Sequence, residues 1–189
     1  ISTKLWVGDY HSEDEFVKLA DKSKGIKRIA VLRADVDNLG HAFIAGFPDK
    51  YMTLSRTATL SRQLSLFFKY HIKSILEKGS YYIDHEEGHP RHAAIVYSGG
   101  DDLFIVGAWN DVIELAVDIK DSLKTYTENT LTLSGGIGLY TSSYPISVIA
   151  DEVADMEDKS KGHEGKNSIT LFEDGEDHEE GKDDHISDG

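Results

Sequence analysis

Two acidic clusters carry the chemistry that this chain could perform. Asp35-Val36-Asp37 follows directly on the apolar run Ile29-Ala30-Val31-Leu32, and Asp101-Asp102 follows Ser98-Gly99-Gly100 between two further apolar stretches. Carboxylates brought together repel: two charges 4 Å apart cost about 4 kcal/mol at an effective dielectric of about 20. A hard divalent cation removes that cost, and Mg²⁺ favours a few carboxylates together with waters and phosphate oxygens. If the clusters meet, Asp35, Asp37, Asp101 and Asp102 predict one or two Mg²⁺ or Mn²⁺ ions, bound mainly when a nucleoside triphosphate is present.

The turn between the apolar stretches supplies a second ingredient. Gly99 and Gly100 let backbone N–H groups approach a phosphate or ribose with no Cβ in the way, and Ser98 adds a hydroxyl donor. Lys159, Lys161 and Lys166 follow the last helical pattern and can neutralise phosphate charge. Each feature also has a plainer explanation. A Gly-Gly-Asp-Asp turn alone is often only a hairpin turn, and lysines in a last helical turn suit the helix dipole anyway. The clusters in this order, flanked by apolar strands, favour chemistry. His85, His89 and His92 lie near Glu86 and Glu87, but the spacing matches no helical ligand pair in a stretch holding Gly88 and Pro90, and a solvated loop is expected. Arg56 and Arg62 are expected on the solvated face of a helix.

Elements to position these residues are readable from the hydrophobic pattern. A buried strand is expected over 26–35. Residues 52–77 repeat apolar side chains at three and four, with Thr53 or Ser55 as a cap and Gly79 as a stop. His92–Ser98 and Leu103–Gly107 form a hairpin around the Gly-Gly-Asp-Asp turn. Asn110–Tyr126 is a second amphipathic helix, 131–139 a strand loosened by glycines, Ile146–Lys161 a third helix, and Ser168–Phe172 a last strand. The order β-α-β-β-α-β-α-β predicts an α+β domain of ferredoxin-like type, an antiparallel sheet backed by helices. In that layout the first strand and the hairpin are neighbours about 4.8 Å apart. Strand alternation then points Asp35 and Asp37 to one side.

With 189 residues the chain has room for one domain and tails. The expected division is a lead-in over 1–25, the domain over 26–172, and an acidic tail or loop over 173–189. That last stretch holds nine acids and one lysine, too charged to bury apolar surface. The net charge of −14 argues against a generic basic nucleic-acid surface, though not against a local patch. With no cysteine, thiolate metal sites, disulfides and cysteine nucleophiles are excluded. No apolar run reaches about 18 residues, and the start lacks a signal-peptide pattern. The chain opens on Ile rather than Met, so a piece of a longer, soluble, cytoplasmic protein is expected.

The segments IAVLRADVDNLG, LSRQLSLFFKYHIKSIL, IVYSGGDDLFIVGAW, LSGGIGLY and KNSITLF resemble, in order over about residues 26–172, the large subunit of type III CRISPR effector complexes, most closely type III-A. The likeness is to its second palm domain, which carries the GGDD cyclase motif and is related to GGDEF and class III nucleotidyl cyclases. The resemblance implies a palm that converts ATP to cyclic 3′–5′ oligoadenylates with loss of pyrophosphate, through two metal ions. It implies as partners the other subunits, guide RNA and target RNA, and a second palm or a second copy across the ATP. Asp101 and Asp35 would be the main metal ligands and, with Asp102, catalytic. Asp102, Asp37 and the Val36 carbonyl would assist in holding metal. Ser98, Gly99 and Gly100 would hold the nucleotide, and Lys161, fitting better than Lys159, the triphosphate. The His-Asp dipeptide that marks the family's nuclease domain does not occur in this sequence. The alternatives are a diguanylate cyclase using GTP, which Asp102-Leu103 in place of Glu-Phe disfavours, and an inactive palm acting as a scaffold, which retention of all four carboxylates disfavours.

Overall fold

The computed structural model describes residues 10–13, 15–45, 53–83 and 89–172. The apolar run at residue 29 opens β1 (Ile29–Val36), the central strand of a five-stranded sheet. The others are β2 (Ala93–Ser98), β3 (Asp102–Ala108), β4 (Leu133–Tyr140) and β5 (Ile169–Leu171), in the order β2-β3-β1-β4-β5. The first four strands pair antiparallel in the expected split βαβ arrangement. β5 pairs parallel to β4, so the sheet is mixed rather than wholly antiparallel. The reason is the connection: a helix crosses between β4 and β5, and such crossovers join parallel strands.

Alternation along β1 divides the core in two. Ala30, Leu32, Ala34 and Val36 face one layer, formed by α3 (Leu54–Leu66), its continuation, and α5 (Trp109–Tyr126). Ile29 and Val31 face the other, formed by α1 (Phe16–Asp21) and α6 (Ile146–Gly162). Leu19 and Ala20 are buried in that second layer, so the expected lead-in contributes a helix to the core. The 173–189 tail lies outside the described residues, as do His85, Glu86 and Glu87. Among the described residues no helix is long and apolar enough to cross a membrane.

After β1 a turn with Asn38 at φ 55° leads into α2 (Leu39–Ala45). Asn adopts that left-handed backbone more readily than most residues because its short polar side chain can hydrogen-bond locally. The long helix is capped by Thr53, whose side chain accepts from the Arg56 N–H at 3.4 Å. It runs through a π-helical turn at Phe67–His71 into α4 (Ile72–Glu77). The glycines of β4 tighten rather than loosen it. A Cβ on Gly136 would sit 2.9 Å from both the Glu157 nitrogen and the Val153 carbonyl, so its absence lets α6 lie directly on the sheet.

Candidate functional site

The β1–β3 register puts Asp35 directly opposite Asp102. Asp101 precedes Asp102 in the turn, and its carbonyl accepts from the Val36 N–H at 3.0 Å. The end of β1 and the hairpin tip are therefore stitched together, and three carboxylates share the end of this strand pair. Their crowding is visible in Asp101: burial first, then the charges of Asp35 and Asp102, push its carboxyl above the ordinary range, against the pull of Lys161.

Lys161, at the end of α6, closes this cluster. Its Nζ lies 2.7 Å from Asp35 Oδ2 and also contacts Glu157 one helical turn earlier. Partial burial pulls the Lys161 ammonium down, but the hydrogen bonds and charges of Asp35 and Glu157 outweigh it and raise the value. Glu157 in turn holds Arg33 Nε at 2.8 Å. Four acids against two cations leave the group formally at −2, a balance suited to a divalent ion. Neither Glu157 nor Arg33 was singled out above. The sequence signal was the Glu157–Lys161 spacing of four on a helix.

The turn is built by space rather than by unusual backbone angles; neither Gly99 nor Gly100 has positive φ. The Gly99 N–H donates to the Asp102 carbonyl at 2.8 Å. A Cβ on Gly99 would run into the Asp102 carboxylate and sit 2.5 Å from the Tyr97 hydroxyl. Among the described residues a Cβ on Gly100 would meet only Ser65 Oγ, at 3.6 Å, so none of them demands glycine there. That opening fits an approaching ligand. A bulge between Ile95 and Tyr97 re-aims Tyr97. The charge of Asp102, above other causes, raises the Tyr97 hydroxyl.

The other residues expected at the site are placed as follows. Asp37, one residue beyond β1, is buried, and its Oδ2 accepts from Thr132 Oγ1 at 2.7 Å and from the Asn167 N–H at 3.0 Å. Its Oδ1 is buried without a partner, so it keeps a donor atom that suits a cation. Ser98 is buried, and its hydroxyl donates to the Phe68 carbonyl in the π turn at 2.8 Å, anchoring the hairpin to the long helix. Lys159 is exposed, about 200° around α6 from Lys161. Lys166 does reach the neighbourhood: its Nζ donates to Asn38 Oδ1 at 2.9 Å. Val36 is buried in the core at the last strand position.

Beside Asp37 and Asn38 opens a cavity of about 790 Å³, lined also by His41, Leu60, Gln63, Tyr126 and Thr132. Its volume is that of pockets taking ligands of nucleoside size. Sequence reasoning gave no hint of it, because its walls come from four separate segments.

The comparisons with known proteins agree with the fold. A sequence profile described as Cas10/Cmr2, second palm domain, matches residues 28–170. The Mycobacterium tuberculosis protein named CRISPR system single-strand-specific deoxyribonuclease Cas10/Csm1 (subtype III-A) is 47% identical over 92% of this chain and 22% of its own length. The chain therefore spans about a fifth of that relative. A solved Csm1–Csm4 cassette in complex with one ATP superposes with a TM-score of 0.77 at 34% identity, covering 87% of this chain and 24% of that one. The same cassette in complex with cA4 gives 0.79 at 33% identity, covering 89% and 25%.

Proposed function

Given that the chain belongs to the Cas10/Cmr2 second palm family, we propose that it is the nucleotidyl-transfer palm of a type III-A CRISPR effector, joining ATP into cyclic oligoadenylates. The observation that carries this is the meeting of Asp35, Asp101 and Asp102 at the paired ends of β1 and β3, with Lys161 against Asp35. The solved relatives bound to ATP and to cA4 support it.

Asp35, Asp101 and Asp102 would hold Mg²⁺ or Mn²⁺, with the Asp37 Oδ1 and the Val36 carbonyl as further donors. Such ions supply activation of a ribose 3′-OH toward an α-phosphate and charge neutralisation of the pyrophosphate released. Gly99 and Gly100 leave the turn open to a phosphate. Lys161, kept charged by Asp35 and Glu157, and Lys166 offset triphosphate charge. The cavity beside Asn38 and His41 receives the nucleoside. Ser98 acts through position, by fixing the turn on the long helix. No side chain serves as a covalent nucleophile; catalysis is placement and charge balance. A second palm or a second copy of the chain completes the site across the nucleotide, and the other subunits with guide and target RNA are reached through the longer protein.

The test is incubation with labelled ATP or GTP and Mg²⁺, alone and with the other subunits. ATP-dependent oligoadenylate should form, and the Asp101→Ala/Asp102→Ala double variant should lose it at least about 100-fold while keeping its circular dichroism. Product from GTP instead, or undiminished product in the double variant, overturns the reading.

A further inference from the structure

We propose that His89, His92 and Asp111 form a second metal site, for a transition metal of the Zn²⁺ type, that fastens the loop before β2 to α5. One ligand atom from each of the three lies within 4.8 Å of the other two. The spacing that made the histidines look like loop residues is bridged by the fold. His89 comes from the loop, His92 immediately precedes β2, and Asp111 stands in the first turn of α5.

The donors are held in place before any ion arrives. Asp111 is 1% exposed; its Oδ1 accepts from Asn110 Nδ2 at 2.8 Å and its Oδ2 from the His92 N–H at 2.6 Å. His92 Nδ1 lies 2.9 Å from Asp111 Oδ2. That is about 0.5 Å short of the roughly 3.4 Å between neighbouring ligands of a tetrahedral ion with bonds of about 2.1 Å, so a small separation of the pair admits the ion. The His89 ring lies over that of His92, centroids 6.1 Å apart and inclined by 29°. His89 Nδ1 faces the Pro90 carbonyl at 3.2 Å, so with the proton there Nε2 keeps its lone pair for coordination. Tyr82, whose hydroxyl donates to the His89 carbonyl at 3.1 Å, fixes the backbone beneath the ring.

An ion pair between His92 and Asp111 explains one imidazole; it does not explain the second converging on the same carboxylate. Two imidazoles and a carboxylate suit Zn²⁺, whereas the oxygen-only cluster at the Gly-Gly-Asp-Asp turn suits Mg²⁺ or Mn²⁺. Water fills the fourth position. The site sits at the start of β2 and the acidic turn at its far end, so its role is structural, and it stands independently of the nucleotidyl reading.

The experiment is calorimetric titration of the untagged full chain with Zn²⁺, after chelator treatment and in excess Mg²⁺ to occupy the acidic turn. One equivalent should bind and raise the thermal midpoint. His89→Ala, which gives up only the Nδ1 contact with the exposed Pro90 carbonyl and keeps the Tyr82 hydroxyl on the His89 carbonyl, and His92→Gln should each lose that equivalent with unchanged circular dichroism. Asp101→Ala/Asp102→Ala should keep it. No stoichiometric uptake, uptake undiminished in His89→Ala, or uptake lost with the acidic turn would each overturn the proposal.

Discussion

Two regions of this molecule gather three carboxylates each, and they treat them in opposite ways. At the paired ends of β1 and β3, Asp35, Asp101 and Asp102 are partly exposed, and Lys161 is the cation set against them. Along α5, Asp111, Glu114 and Asp118 are buried, and each bonds residues that precede β2. Arg91, 0% exposed, bonds Glu114 and lies 2.8 Å from Asp118, while its guanidinium stacks on Tyr82 with 4.2 Å to the ring centroid. Asp118 also accepts from the N–H groups of Ser80 and Tyr81, and Glu114 from that of Ile83. Buried acids supplied with donors hold structure. Acids crowded on one another with too few donors are poised for a ligand. For Glu114 and Asp118 the number of partners, not the number of carboxylates, marks a scaffold; Asp111, with two imidazoles beside it, is the α5 acid that also offers a metal site.

The largest effect should come from the satisfied region. Arg91→Met strands two buried carboxylates, and removing one partner of a buried pair costs about 3–5 kcal/mol. Urea unfolding should show that loss, and a smaller loss than for Asp101→Ala/Asp102→Ala would break the contrast.

A middle-sized effect joins the regions through α6. Gly136→Ala forces the helix off β4, an overpacking of about 1–3 kcal/mol, and shifts Lys161 away from Asp35. Thermal midpoint and ATP turnover should fall together; turnover kept at reduced stability would show that Lys161 needs no such exact seat.

The smallest effect has the opposite sign. Asp101 ionises above its ordinary 3.8 because the fold disfavours its charge. A group raised in the folded state stabilises below its unfolded value and loses that contribution as pH rises through the folded one. In metal-free buffer Asp101→Asn should therefore be the more stable protein at neutral pH, by less than about 1 kcal/mol because the group is largely solvated. The advantage should shrink toward pH 4 and vanish in Mg²⁺. Midpoints measured against pH with and without Mg²⁺ check this, and a destabilised Asp101→Asn would remove the crowding argument.

Much of the fold was legible because its signals are local. The strand at Ile29, the Gly-Gly-Asp-Asp hairpin, the Thr53 cap and the helix after Pro145 each depend on residues within one turn or one strand of each other. The site was half legible. Asp35, Asp101 and Asp102 meet because neighbouring strands bring their ends together, and Asp37, one residue past the strand, takes partners from Thr132 and Asn167 that no local pattern announces. The two histidines read as solvated because their partner, Asp111, lies 19 residues beyond His92. The α5 acids carried no sequence expectation, since nothing local tells that Arg91 and three N–H groups will meet them.

The residues themselves determined which chemistry is available: oxygen ligands on two strand ends, glycines between them, no thiol anywhere. Those properties belong to side chains and to spacing along one element. Tertiary structure alone decided which donors each carboxylate receives. Partners such as Arg91, Lys161, Thr132 and Asn167 arrive from distant segments, and whether a charge is neutralised depends on packing that no single stretch of sequence encodes.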